Sequence, residues 1–193
     1  LEIDNINSLI LDFNNQLDYF LYGDTSKIIR MAKHSNEFQD SLNNFKILLS
    51  DRYKTKKIKY LHNYIRYEIA ILEQLAHQNK GDYFKAYLYE NYLKRNKINY
   101  KNDAYMQFFN LFYSDVFKIG GIELNDQIKF AINNYNELQK LIEIIQSCKY
   151  FSSSQLLELA IIKGLFDAYN SPSYVQENIL SFLKKISLES KWQ

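Results

Sequence analysis

Apolar residues recur at intervals of three and four along most of the chain, which is the spacing of one buried face of an α-helix. The clearest stripe runs through Leu61, Ile65, Ile69, Leu72 and Ala76. Alternating apolar and polar positions, the pattern of a half-buried strand, never continue long enough to predict one. We therefore predict an all-α fold, an irregular bundle of about eight to ten helices.

Comparable stripes predict the other helices and the breaks between them. They cover residues 3–21, 28–32, 38–49, 84–92, 105–117, 126–133, 136–147, 156–166 and 179–186. Glycine-containing breaks at 23–25, 81–82 and 120–121 separate them, and paired glycines rarely lie inside a helix. No fixed-period repeat is present, which argues against a solenoid. We expect a single helical domain over residues 1–193, with 119–122 as the candidate sub-boundary.

Short polar residues mark the expected starts of several helices, because their side chains can accept hydrogen bonds from the first backbone N–H groups. Two pairs also have capping-box spacing, with a glutamine three residues after a serine. The candidate caps are Asp24 or Thr25, Asn102 or Asp103, Ser152 with Gln155, and Ser173 with Gln176.

Composition supports this interpretation and excludes several classes of function. The chain has 5 glycines and 1 proline in 193 residues, too few for a β-sandwich or a phosphate-binding α/β fold. Its net charge of +2 provides no overall attraction to nucleic acid or anionic membrane. A single cysteine excludes an internal disulfide, and no apolar run predicts a transmembrane helix or a signal peptide. Because the chain begins with Leu1, we expect it to be a fragment of a larger protein.

The residues with catalytic or metal-binding potential form no recognisable motif. Glu73 and His77 lie four apart on one helix face, but no second copy supplies matching ligands, so a solvated pair is favoured over a metal site. His34 and His62 belong to no zinc-binding pattern. Cys148 has no local partner, which favours a half-buried structural thiol over a nucleophile. We assign no catalytic, cofactor-binding or metal-binding residue, and expect no enzyme activity and no cofactor.

Two further segments have a possible binding role. In the first, Lys54, Lys56, Lys57 and Lys59 are interleaved with Tyr53, Tyr60, Tyr64 and Tyr67. Cations among aromatic rings can contact phosphates and stack bases. Lysines at the start of a helix interact unfavourably with the helix dipole, so the helix should begin after them. A solvated segment is therefore favoured over a nucleic-acid contact. Nucleic acid is therefore not an expected partner.

The second segment is the aromatic-rich helix over residues 105–117. It could present Phe108, Phe109, Phe112 and Tyr113 to a partner, since aromatic anchors are typical of interface hot spots. The same rings could equally form the domain core, and this interpretation is favoured. The ring-bearing positions of 84–92 and 105–117 are the candidates for protein contact.

Three stretches of the chain resemble one family. They are residues 102–113 (NDAYMQFFNLFY), 64–73 (YIRYEIAILE) and 157–169 (LELAIIKGLFDAY). They are similar to the helical region that precedes the thioredoxin domain in Bacteroidetes proteins of the TlpA-type, thiol–disulfide oxidoreductase-related class. Asp103 departs from that pattern, where a proline is more usual, and the redox Trp-Cys-x-x-Cys motif is absent.

The resemblance implies an accessory helical domain without its catalytic neighbour, located in the periplasm or at the cell envelope. The leading hypothesis is thus a non-catalytic scaffold that positions a partner protein or an adjacent thioredoxin-like domain. The alternative is a ligand-sensing or nucleic-acid-associated helical regulator, with its binding centred on the four lysines between 54 and 59.

Overall fold

The computed structural model describes residues 2–23, 36–77, 81–95, 97–118, 121–135 and 137–190, and within these ranges it contains nine α-helices and no strand. The predicted all-α fold is confirmed. The helices are α1 (Glu2–Tyr22), α2 (Asn36–Tyr53), α3 (Lys59–Ala76), α4 (Gly81–Leu88), α5 (Asp103–Phe112), α6 (Gly121–Phe130), α7 (Leu138–Gln146), α8 (Ser154–Tyr169) and α9 (Gln176–Glu189).

Three shorter helical turns accompany them. The π-helical turns Tyr89–Leu93 and Ala131–Tyr135 continue α4 and α6, and a 3-10 turn, Val116–Lys118, follows α5. None of the helices in the described ranges is long and apolar enough to cross a membrane.

Residues 1–92 together with 99–109 form one compact unit, here called the first unit. Its core is built from the predicted stripes of α1, α2 and α3, whose apolar side chains are removed from water. The ring of Phe20 stacks on that of Phe45 with centroids 4.5 Å apart, and Phe13 meets the edge of Tyr53. The core cluster comprises Phe13, Phe38, Leu42, Phe45, Leu49, Tyr53, Leu61, Ile69, Leu72 and Ala76.

Residues 93–98 together with 110–193 form the second unit. Buried apolar residues of α6 and the turn after it, and of α7, α8 and α9, build its core. Asn133 joins the end of α6 to the segment before α9, because its amide donates to the Ser173 carbonyl at 3.0 Å and accepts from the Val175 N–H at 2.9 Å. The core includes Ile128, Ile132, Leu141, Ile145, Leu156, Ala160, Leu165, Ile179 and Phe182.

Of the predicted N-cap residues that lie in the described ranges, one is confirmed and two are wrong. Asn102 caps α5, since its side-chain oxygen accepts from the Tyr105 N–H at 3.0 Å. Helix α8 is capped by Ser153 rather than Ser152, because the extended Ser153 directs its hydroxyl to the Leu156 N–H. Helix α9 has Val175 at its N-cap with no side-chain cap, so the box predicted from Ser173 is not formed.

Some predicted boundaries also shift or lie outside the described residues. The aromatic helix expected over 105–117 ends at Phe112, and Asp115 follows with a φ of 54° before the 3-10 turn. Gly121, with a φ of 84°, begins α6 after the expected break. The helix over 28–32, its caps Asp24 and Thr25, and positions 119–120 of the candidate sub-boundary lie outside the described ranges.

Candidate functional site

The side chain of Glu73 is buried, whereas the sequence predicts a solvated one. The residue is 4% exposed. One carboxylate oxygen accepts from the Lys46 ammonium at 2.6 Å and the other from the Tyr92 hydroxyl at 3.0 Å. The predicted solvated pair with His77 is therefore wrong. The imidazole of His77 packs instead against the Phe84 ring, with centroids 4.2 Å apart.

The sequence contained a signal for this burial. Glu73 lies four residues after Ile69 and three before Ala76, which places it within the apolar stripe of α3. A carboxylate in such a position requires charged or hydrogen-bonding partners, and α2 and the π-helical turn supply them. Lys46 and Tyr92 could not be assigned to Glu73 from the sequence, since they lie 27 and 19 residues away.

The carboxylate influences the tyrosines around it. Burial and the negative charge of Glu73 raise the pKa of Tyr92 well above its ordinary value. Burial and Glu73 also raise the pKa of Tyr87. Both hydroxyls therefore stay protonated, and can donate hydrogen bonds, to a higher pH than an ordinary tyrosine. In chemical terms the cluster is an ion pair joined to neutral phenols, an arrangement that holds helices together.

A groove with basic residues along it lies beside this cluster, within the first unit, and has a volume of about 300 Å³. We call it the basic groove. Lys46, Lys54, His62 and Arg66 bring positive or ionisable side chains to it. Its apolar surface comes from Leu49, Ile65 and Ile69 and from the rings of Tyr53 and Tyr92.

Arg66 and His62 are held in place by neighbouring groups. The guanidinium of Arg66 lies 5.4 Å from the centroid of the Tyr92 ring and 5.8 Å from that of Tyr67, within cation–π range, and donates to the Asn91 carbonyl. The Nε2 atom of His62 contacts the carbonyl oxygen of Lys56. These contacts position two of the polar side chains along the basic groove.

The run of lysines and tyrosines divides into an exposed and a packed part. Lys54, Lys56 and Lys57 lie in the exposed connection between α2 and α3, and the exposed Lys59 is the first residue of α3 rather than preceding it. The rings of Tyr53 and Tyr67 are buried, and those of Tyr60 and Tyr64 are half-buried.

The packed tyrosines have internal partners. The hydroxyl of Tyr53 donates to Asp12 at 2.7 Å, and that of Tyr67 to the Tyr92 carbonyl at 3.3 Å. Burial raises the pKa of Tyr53 to about 12, and its hydrogen bond to Asp12 acts in the same direction. Neither ring therefore offers an open face for stacking against a base.

The two aromatic segments proposed for protein contact behave differently. The rings of Phe108, Phe109, Phe112 and Tyr113 are all buried, so the core interpretation of residues 105–117 is the correct one. Among the ring-bearing positions of 84–92, Tyr89 and Tyr92 are buried as well, whereas Tyr87 is 40% exposed. Tyr83, one residue before that segment, is 85% exposed.

The ring of Phe84 lies between the two positions on α4 and stacks on Tyr87, with centroids 5.2 Å apart. We call Tyr83, Phe84 and Tyr87 the aromatic ridge. The sequence does not indicate Tyr83, because the apolar stripe of 84–92 begins one residue later.

The remaining candidates from the sequence are Cys148 and His34. Cys148 is half-buried, as predicted, and burial raises the pKa of its thiol. His34 lies outside the described residues. Among the residues that the structure describes, no three His, Cys, Asp or Glu side chains are grouped so as to hold a metal ion.

Comparison of the chain with protein-family models, with curated proteins and with solved structures finds no match. The likeness of residues 64–73, 102–113 and 157–169 to a thioredoxin-associated helical region thus stays a hypothesis. The aromatic ridge, the Glu73 cluster and the basic groove are the features of the first unit described above.

Proposed function

We propose that the chain is a non-catalytic helical domain that binds a partner protein or an adjacent domain of its own polypeptide. The observation that carries the proposal is the exposure of Tyr83 and Tyr87 on one turn of α4. Tyrosine is enriched at protein interfaces because its ring buries a large apolar area while its hydroxyl forms a hydrogen bond. Phe84, half-buried between them, gives the ridge a rigid base.

The state of the ionisable groups supports a non-catalytic role. Activated nucleophiles and general bases need a pKa shifted toward neutrality and an accessible position. The thiol pKa of Cys148 is shifted the opposite way by burial, which keeps the thiolate scarce. Glu73 is occupied by the Lys46 ammonium and the Tyr92 hydroxyl. The contacts of Glu73 link α2, α3 and the π-helical turn Tyr89–Leu93, which is a structural role.

The proposal for the identity of the neighbour rests on the resemblance. If residues 102–113 and the two companion stretches mark the helical region of a TlpA-type protein, the parent chain is exported and the domain positions a thioredoxin-like redox centre from the periplasm or the cell envelope. Determining the reading frame on both sides of the segment tests this. A downstream Trp-Cys-x-x-Cys motif with an upstream signal peptide supports it, and a parent chain lacking the motif refutes the redox link.

The binding role is tested with the aromatic ridge. The variant Tyr83→Ser with Tyr87→Ser removes both exposed rings, and the control Tyr19→Ser with Tyr22→Ser removes two rings from α1 that are 74% and 66% exposed. Proteins that the native chain retains from a lysate of its source cells should also be retained by the control. The amount retained by the ridge variant should be lower by about tenfold or more. Equal behaviour of the two variants would refute a role for the ridge.

A ligand-sensing or nucleic-acid-associated regulator is the second candidate, favoured by the exposure of Lys54, Lys56, Lys57 and Lys59. It requires oligonucleotide or anion binding that weakens steeply with salt, because counterions are released on binding. Replacing all four lysines by glutamine should then abolish that binding. No binding by the native chain, or binding unaffected by the replacement, excludes this candidate.

A further inference from the structure

Four exposed lysines lie together at one end of the first unit. Asn102, the cap of α5, is fully buried, and its amide donates to the Tyr60 carbonyl in the first turn of α3 at 3.4 Å. The turn before α5 is therefore held against the start of α3, where the connection from α2 also arrives. We call the lysines of these three segments the lysine end: Lys56, Lys57, Lys59 and Lys101.

The four ammonium groups form no ion pair with any carboxylate in the described part of the chain. Lys54 differs from them, because it pairs with Asp51 at 3.2 Å. Asp103, exposed in the first turn of α5, is the acidic residue next to them in the chain, and the helix dipole favours it there. The net charge of +2 for the whole chain thus coexists with a local excess of positive charge at this end.

The lysine side chains suit a diffuse array of anions rather than one fixed anion. Each ammonium is a compact charge on a flexible stem, whereas arginine has a rigid fork of donors that matches one phosphate or carboxylate in a set geometry. Within the described ranges, no side-chain hydrogen bond holds any of the four ammonium groups in place. A layer of lipid headgroups can rearrange its own charges around such flexible cations.

An exposed ring accompanies these lysines. Tyr100 directly precedes Lys101 and is 50% exposed. Tyrosine is enriched at membrane–water interfaces, where the ring faces the lipid and the hydroxyl stays in water. A nucleic acid strand would need several open rings in succession for stacking, whereas Tyr53 and Tyr67 of the lysine-rich run are buried. These observations favour a lipid surface over a nucleic acid strand.

We propose that the lysine end attaches the first unit to the surface of an anionic phospholipid membrane. The four lysines face the headgroup phosphates, and Tyr100 lies at the interface. A lysine near such a surface strengthens binding about fivefold, and added salt weakens the attraction because it shortens the Debye length. The inference goes beyond the proposed protein-binding function and does not depend on it.

The aromatic ridge stays accessible in this arrangement. The lysine end is at the start of α3, whereas His77, which follows the last residue of α3, packs against Phe84 of the ridge. The 18 residues of α3 span about 27 Å. A membrane bound at one end of this helix therefore leaves the ridge at the other end open to a partner.

Sedimentation of the full chain with phospholipid vesicles tests the inference. One kind of vesicle contains equal parts of phosphatidylglycerol and phosphatidylcholine, and the other contains phosphatidylcholine alone. The lysine-end variant combines Lys57→Gln, Lys59→Gln and Lys101→Gln. The control variant has the same change at three exposed lysines of the second unit that also form no ion pair within the described ranges: Lys129, Lys149 and Lys184.

We expect the native chain to bind the anionic vesicles far more strongly than those of phosphatidylcholine alone. The lysine-end variant should bind the anionic vesicles about a hundredfold more weakly, since three lysines are removed. Tyr100→Ser should weaken binding by a smaller factor. The control variant should bind like the native chain, because the position of the charges and not their total decides. Circular dichroism verifies that each variant retains its helices.

Three results would overturn the inference. They are no binding to the anionic vesicles, equal binding to both kinds of vesicle, and equal affinity of the lysine-end and control variants. A single-stranded oligonucleotide, followed by fluorescence anisotropy, provides the comparison with nucleic acid. Binding of the oligonucleotide that depends on the lysine end, without binding to vesicles, would assign this end to nucleic acid instead. The retention test with the aromatic ridge variant is separate, so failure here leaves the proposed function standing.

Discussion

Gly164, in the middle of α8, offers the sharpest test of the packing in the second unit. Glycine inside a helix costs about 1 kcal/mol relative to alanine, so Gly164→Ala should stabilise the protein if helix propensity alone decides. An added Cβ would, however, come within 2.6 Å of both Phe117 Cζ and Val116 Cγ1, and closer still to Phe117 Cε1. Ordinary contacts of a Cβ lie at 3.4–4 Å.

The two neighbours have little room to move. Val116 and Phe117 are both buried and belong to the short 3-10 turn after α5. Relieving the contact requires a shift approaching 1 Å, and overpacking of this kind costs about 1–3 kcal/mol. After subtraction of the gain in helix propensity, we expect Gly164→Ala to destabilise the protein by about 1 kcal/mol, with an upper value of about 2 kcal/mol.

Urea unfolding followed by circular dichroism measures this change, and amide exchange within α8 reports it locally. A lowering of Tm by about 2–4 °C per kcal/mol is expected for a chain of this size. Phe117→Leu is the matched second variant. Because it removes the ring atoms that crowd the new methyl group, alanine at 164 should cost less in its background, with a coupling of about 1 kcal/mol. Stabilisation by Gly164→Ala alone would refute the argument.

Three further predictions concern the first unit, each measured by urea or thermal unfolding. Asn102→Ala should cost about 1–2 kcal/mol, because it removes a buried cap of α5, while Asn102→Ser should retain part of that energy. Hydrogen bonds from Arg52, and to a smaller extent from Tyr53, lower the pKa of Asp12. The stability that Asp12 contributes is therefore complete above about pH 4 and is lost on further acidification, and Asp12→Asn should flatten this acid dependence. Lys46→Met should lower the free energy of unfolding by about 1–3 kcal/mol, because it leaves the charge of Glu73 buried without its partner. Adding Glu73→Gln should recover part of that loss, and additive costs of the two substitutions would contradict the ion pair.

Most of the described helices were predictable because each carries its own apolar stripe; α6 is the exception in its bounds, since its stripe predicted 126–133 and the helix spans Gly121–Phe130. The spacing of Phe38, Leu42, Phe45 and Leu49 identified both α2 and its buried face. Helix starts were less predictable, since serine at either of two adjacent positions before α8 can cap it. The backbone of Ser153, extended in the folded chain, decides between them. At the start of α9, the Val175 N–H donates to the amide oxygen of Asn133, a residue 42 positions away that the local sequence could not indicate.

The candidate site was less predictable than the fold, because its contacts join distant residues. The lysine-rich run was visible, yet only Lys54 of its four lysines lines the basic groove. The other cations of the groove, Lys46 and Arg66, belong to separate helices and gave no local pattern. The burial of Glu73 was readable in principle from the stripe of α3, but its partners were not.

The buried tyrosines also set an alkaline limit to the fold. Burial raises the pKa of Tyr53 to about 12, and burial raises the pKa values of Tyr92 and Tyr105 further. An unfolded chain ionises the same phenols near pH 10, so the stability they contribute is complete below that pH and decreases as pH rises above it. With 17 tyrosines in the chain, ultraviolet absorption can follow this transition, because the buried phenols ionise and absorb as phenolate when the protein unfolds.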